Sequence, residues 1–128
     1  MGAEVYQCAA HECVVLDTTR IMILRRSLGD QRTREVVEEV VFHLADRMSL
    51  LTEALHSGAA AEAQTLAGRL ASLSEQVGLA TFATVARDLD HCLAAGDATA
   101  IAAVAARLAR LADESLFSVI HYADQSAL

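Results

Sequence analysis

From Asp30 to Gly58 the apolar residues recur at every third or fourth position, and this spacing restricts the fold more than any other feature of the chain. Side chains spaced in this way share one face of an α-helix. A helix of about 26 residues, about 39 Å long, would present them together. Its apolar face comprises Val37, Val41, Leu44, Met48, Leu51 and Leu55.

The same spacing predicts four further helices, separated by glycines, which commonly end helices. The first begins at Asp17 or Thr18, and Asp97 caps the last. The chain contains no proline and only 4% aromatic residues, a composition that favours helix over sheet. The apolar positions are Ile21, Leu24 and Leu28 in the first helix, Ala63, Leu66, Leu70, Leu73 and Val77 in the third, Phe82, Val85 or Ala86, Leu89 and Leu93 in the fourth, and Ile101, Val104, Leu108 and Leu111 in the fifth.

We therefore predict an all-α fold with one helical domain over residues 17–128 and a lead-in segment over residues 1–16. Short connections between helices of this length make neighbouring helices antiparallel. The expected architecture is an up-down antiparallel four-helix bundle with a short leading N-terminal helix laid against one end. The lead-in segment is either extended or part of a ragged helix, since Val5-Tyr6 and Val14-Val15-Leu16 suit both.

Charge and composition argue against several classes of function. The formal net charge of −7 disfavours nucleic acid as a partner, because phosphate binding needs clustered basic residues. No run of about 20 apolar residues is present to span a membrane. The three cysteines form no CxxC pair and acidic Glu4 precedes any apolar run, so we expect free thiols in a cytoplasmic protein. The histidines and cysteines lack metal-ligand spacing, and we expect no metal or other cofactor.

One glycine, Gly68, lies inside a helical pattern rather than at its end. Glycine in a helix interior costs about 1 kcal/mol relative to alanine. The outer side of the same predicted helix carries mostly small residues: Ala61, Gln64, Ala71, Ser72 and Glu75. This side is either an alanine-rich solvent face or a flat surface on which a partner docks.

Taken in order, these segments resemble the histidine-containing phosphotransfer (HPt) family of bacterial phosphorelays, over about residues 15–116. The family's central motif is Ala-His-any-Leu-Lys-Gly, followed by five residues and a further glycine. The gapless counterpart here is Ala67-Gly68-Arg69-Leu70-Ala71-Ser72, with Gly78 as the further glycine. The likeness also includes Val15-Leu16-Asp17, Leu28-Gly29-Asp30, Ala54-Leu55-His56-Ser57-Gly58, Ala86-Arg87-Asp88-Leu89-Asp90 and Leu93-Ala94-Ala95-Gly96-Asp97.

The framework of the family is present, but its active centre is not. Gly68 takes the place of the phosphorylated histidine, Ala71 that of the lysine, and Ser72 that of the glycine. A shifted alignment would put Gln64 at the histidine position, but it needs a deletion and an insertion and also supplies no histidine. Without an imidazole there is no nucleophile to accept the phosphoryl group. The chain thus looks like a degenerate, pseudo-HPt member, and we expect no catalytic residue.

The resemblance implies a non-catalytic signalling protein that binds a response-regulator receiver domain or a histidine kinase without carrying phosphate. The residues expected to contact this partner are Gln64, Gly68, Arg69, Ala71, Ser72 and Glu75. Two alternatives stay open. One is an active phosphotransfer protein that uses a displaced histidine, His91 first, and the other is a helical module that pairs with its own copy. We expect a monomer without a membrane partner.

Overall fold

The computed structural model describes the backbone of residues 4–8 and 13–126, and the side chains of residues 14–124. These residues form a two-stranded hairpin followed by five helices, so the predicted all-α class is confirmed, with one hairpin added. None of the helices in the described part of the chain is both long and apolar enough to cross a membrane. The elements are β1 (Glu4–Cys8), β2 (Cys13–Asp17), α1 (Thr19–Leu28), α2 (Asp30–Ser57), α3 (Ala60–Gln76), α4 (Ala80–Ala95) and α5 (Ala98–Ser126).

Two aspartates at the predicted helix starts accept backbone hydrogen bonds. The Thr19 N–H donates to Oδ1 of Asp17 at 3.0 Å, and the Ala100 N–H donates to Oδ1 of Asp97 at 3.1 Å. Such bonds satisfy amide groups that have no partner within the first turn of a helix. The capping role predicted for Asp97 is therefore confirmed.

The core lies among α2, α3, α4 and α5. Helix α2 contacts both α3 and α5, helix α4 contacts the same two, and α1 packs beside α2. From the predicted stripe of α2, Val37, Leu44 and Leu51 are fully buried, while Met48 is partly buried against them. Leu28, predicted to be apolar core, is 44% exposed because it is the last residue of α1.

The lead-in segment is extended where it is described, which decides between the two alternatives left open by the sequence. The strands pair antiparallel, with Val5 opposite Leu16 and Tyr6 opposite Val15. Val14 and Leu16 are fully buried in the same core as the helices, so β2 is an integral part of the helical domain. The Val15 N–H also donates to Oγ1 of Thr81, at the start of α4, at 2.8 Å.

The turn between α3 and α4 holds β2 in place through Gly78. The Asp17 N–H donates to the Gly78 carbonyl oxygen at 2.6 Å, and Leu16 forms an isolated β-bridge with Leu79. Gly78 is buried and has φ of 82°, a conformation that favours glycine. A Cβ atom at this position would overlap the backbone carbonyl of Asp17. Only glycine can therefore fill this position without displacing β2.

We predict that Gly78→Ala lowers the free energy of unfolding by at least about 3 kcal/mol, because it adds a backbone collision to the strained φ. The matched control is Gly96→Ala, where φ is 70° and no atom lies within 4 Å of the added Cβ. That variant should lose only about 1–2 kcal/mol. Urea unfolding of both variants measures the difference, and equal losses would contradict the packing described here.

Candidate functional site

Gly68 lies in the middle of α3, on a partly exposed side of the helix. Its φ is not positive, unlike those of the glycines that end helices. A Cβ atom added to it would meet only Oδ2 of Asp90, at 3.9 Å, which is an ordinary van der Waals contact. Neither the backbone nor the packing requires glycine here. The fold therefore does not explain why this helix position holds glycine instead of a residue with a higher helix propensity.

Two shallow depressions meet at Gly68. One, of about 370 Å³, lies toward α2 and is lined by Arg47, Thr65, Gly68, Arg69, Ser72, Leu73 and Gln76. The other, of about 480 Å³, lies toward α4 and is lined by Ala61, Gln64, Thr65, Gly68 and Asp90. The two depressions share Thr65 and Gly68, and they adjoin where Gly68 contributes no side chain. The result is one concave strip across α3, which we call the Gly68 surface.

The Gly68 surface carries opposite charges at its two sides. Arg47 and Arg69 line the depression toward α2, whereas Asp90 lines the depression toward α4, with its Oδ2 atom 3.9 Å from the position of a Cβ at residue 68. Arg47 also donates through Nη1 to the His43 carbonyl oxygen at 3.4 Å, which orients it along α2. The surface is therefore dipolar. It suits a partner that places an acidic group against the arginine side and a basic group against the Asp90 side.

The structure separates the six residues predicted to contact a partner. Gln64, Gly68, Arg69 and Ser72 line the Gly68 surface together. Glu75 is exposed but lies outside both depressions, where it forms an ion pair with Arg87 of α4.

Ala71 is a correction to the prediction. It is fully buried, so it does not lie on the outer side of α3 and cannot contact a partner. The physical reason is that α3 packs against both α2 and α4, and its buried arc is wider than the leucine stripe alone. Ala67 and Ser74 are buried within the same arc. In the alignment with HPt proteins, Ala71 takes the place of a lysine. That position is therefore buried in this chain.

No histidine is among the described residues that line the Gly68 surface. Ser72 is exposed and lines the depression toward α2, and no histidine lines that depression with it. His91, the alternative acceptor, is exposed on α4 next to Asp90 in sequence but lines neither depression. His11 and the side chains of Cys8 and Cys13 lie outside the described residues. Among the side chains that are described, no three histidine, cysteine or acidic groups come together as metal ligands.

The sequence patterns do not single out Asp90 or Arg47, although these residues form the two charged sides of the surface. For Asp90 the sequence does contain a usable indication. Asp90 lies four residues after Ala86 and three residues before Leu93, and both of these residues are buried. This spacing puts Asp90 on the same side of α4 as the core residues. Arg47 belongs to α2, and no local pattern links it to a residue on α3.

Comparison with protein-family models, with characterised proteins and with solved structures finds no match to this chain. The resemblance to HPt proteins therefore rests on the order and spacing of the residues named above.

We predict that Gly68→Ala raises the free energy of unfolding by up to about 1 kcal/mol, because the helix gains propensity and the added methyl group has room. The mirror-image control is Ala103→Gly at an exposed position of α5, which should lose about as much. Thermal and urea unfolding measure both. A loss of stability in Gly68→Ala would contradict the open environment described for this residue.

We also predict that Ala71→Lys lowers the free energy of unfolding by about 3 kcal/mol or more, since it forces an ammonium group into a fully buried position. Ser72→Lys, one residue further on and exposed, is the matched control and should change stability by less than about 0.5 kcal/mol. Similar effects of the two substitutions on the urea midpoint would show that Ala71 is accessible after all.

Proposed function

We propose that this protein is a non-catalytic, HPt-like signalling module. It binds a response-regulator receiver domain or a histidine kinase through the Gly68 surface and does not carry phosphate there. The observation that supports this most directly is the concave, dipolar strip centred on a glycine that the fold does not require. An unneeded glycine is understandable if a partner's surface comes close to the helix backbone at this point.

The electrostatics of the strip argue against phosphate at this position. A side chain at residue 68 would begin 3.9 Å from the Asp90 carboxylate. A phosphoryl group carried there would be close to a like charge, and like charges at short range repel. The buried position of Ala71 leaves no room for a lysine there, and the arginines of the strip, Arg47 and Arg69, line the depression toward α2 rather than the one that contains Asp90. These features support a role in binding rather than in phosphoryl transfer at residue 68.

The finer architecture that belongs to this proposal is an up-down antiparallel four-helix bundle formed by α2 to α5, with α1 at one end. Two features support it. The connections between consecutive helices of this set are only two or three residues long, which favours antiparallel neighbours. The contacts of α2 and α4 with both α3 and α5 also close a ring of four helices. We further propose a cytoplasmic location, which the partner class requires.

The experiment that tests the proposal uses receiver domains from the source organism, each in its phosphorylated and unphosphorylated form. Isothermal titration calorimetry should detect a complex with at least one receiver. Gly68→Glu should weaken that complex at least about tenfold, because it fills the centre of the contact. Gly68→Ala should also weaken it while raising thermal stability, a combination that general damage to the fold does not produce. Ala103→Glu on α5 is the control and should bind normally.

Transfer of phosphate is measured in the same mixtures. Incubation with radiolabelled, phosphorylated receivers should leave no acid-labile label on the protein. Label that disappears in His91→Ala would overturn the proposal and establish the displaced-histidine alternative. Binding that Gly68→Glu leaves intact would show that the partner uses another face.

A further inference from the structure

Helix α2 presents an acidic face with exposed apolar side chains in its centre. Phe42 is 70% exposed and Leu50 is 41% exposed, so the apolar groups of this helix are not confined to the core side. Exposed carboxylates lie before and after these two apolar side chains at helical spacing. No arginine lies between the carboxylates on this face. We call this the α2 face, and it consists of Glu38, Glu39, Phe42, Asp46, Leu50 and Glu53.

The α2 face is not explained by interactions within the chain. Glu35, one turn earlier, already has partners in Gln31 and Arg32 and is therefore left out of it. Of the carboxylates included, Glu39 alone has a basic neighbour among the described residues, His43 at 4.0 Å. Phe42 contacts the ring of the neighbouring His43, at 5.9 Å between centroids, and is otherwise exposed among carboxylates for which the described residues supply no other ion-pair partner, as on a binding surface.

Helix α1 presents a face of the opposite character. Ile23 is 49% exposed, and the exposed Arg20 and Arg26 lie three residues before and after it on the same side of the helix; Met22, 42% exposed, lies at the Arg26 edge of this side. Neither arginine forms an ion pair among the described side chains. We call these four residues the α1 face. Arg25, by contrast, points inward, where it contacts the Tyr122 ring and the last turns of α5.

The two faces match each other in charge and in apolar content. The chain has a net charge of −7, yet residues 19–34 contain five arginines and a single acidic residue, Asp30. A basic amphipathic helix fits an acidic helix face when their apolar side chains can meet between the charges. Ile23 and Met22 are the α1 residues that would cover Phe42, and Arg26 would lie near Glu39 or Asp46. Both faces are exposed in one copy, so neither is covering the other.

We propose that the occupant of the α2 face is the α1 face of a second copy of this chain. In a two-fold symmetric pair, each α1 lies on the partner's α2, so the contact is made twice. This pairing departs from the monomer expected from the sequence, and it leaves the Gly68 surface free on both copies. It is independent of any receiver domain.

Sedimentation velocity of the full chain over a range of concentrations, at low and high salt, tests this pairing. The wild type should form a dimer that weakens as salt rises, since exposed charges are screened. Phe42→Ala should weaken dimerisation at least about tenfold. Phe117→Ala is the matched control, because Phe117 is similarly exposed, at 64%, but lies on α5; it should have no effect.

Charge reversal gives the sharper test. One variant carries Arg20→Glu and Arg26→Glu, and the other carries Glu39→Arg and Asp46→Arg. Each should be monomeric alone, because its own two faces then carry like charges. Their equimolar mixture should form a heterodimer in which both contacts are restored. All four positions are exposed, and unchanged thermal unfolding of each variant confirms that folding is intact.

Three results would overturn the proposal. The first is a wild type that stays monomeric at every concentration and salt. The second is a dimer that survives both charge reversals, or one that Gly68→Glu disrupts instead, since the contact would then lie elsewhere. The third is a monomer whose α1 arginines are needed for co-sedimentation with phosphatidylserine vesicles, which would assign the α1 face to an anionic membrane.

Discussion

The packing of α3 against α4 through small side chains is the contact on which the candidate site depends. Ala67 and Ala71 of α3 and Ala83 and Ala86 of α4 are all buried, and none extends beyond its Cβ atom. Small residues at a helix contact let the two axes approach closely. This closeness brings Asp90 to the edge of Gly68 and encloses Ala71. The same packing therefore affects both the shape and the charge of the Gly68 surface.

The helical period in the sequence is sufficient to predict the five helices. Leucine and valine at steps of three and four indicate where each helix lies, and glycine and aspartate indicate where it ends or begins. The period was not sufficient to give the width of each buried face. Alanine is compatible with burial and with exposure, so Ala71 was assigned to the wrong side of α3. The width of a buried face depends on how many helices pack against it. That number is set by the tertiary arrangement and cannot be read from the pattern of one helix.

The site was only partly predictable for a related reason. Gln64, Gly68, Arg69 and Ser72 are close in sequence, and one helix brings them together. Arg47 and Asp90 come from the two neighbouring helices, and only the packing of α2, α3 and α4 places them beside Gly68. The sequence leaves the hairpin undecided for a different reason, since apolar runs of only two or three residues fit strand and helix alike. Its contact with Gly78 selects the strand.

The contact between β2 and the α3–α4 turn also has a consequence for the order of folding. The hydrogen bond between Val15 and Thr81 joins residues 66 positions apart, whereas α3 and α4 are connected by three residues and can pair locally. Contacts between distant residues carry a larger loop-closure cost and tend to form late. Docking of the hairpin is therefore expected after the transition state. Interactions that form after the transition state mainly affect the unfolding rate. The contacts between the hairpin and the α3–α4 turn are therefore expected to slow unfolding and to lengthen the lifetime of the native state.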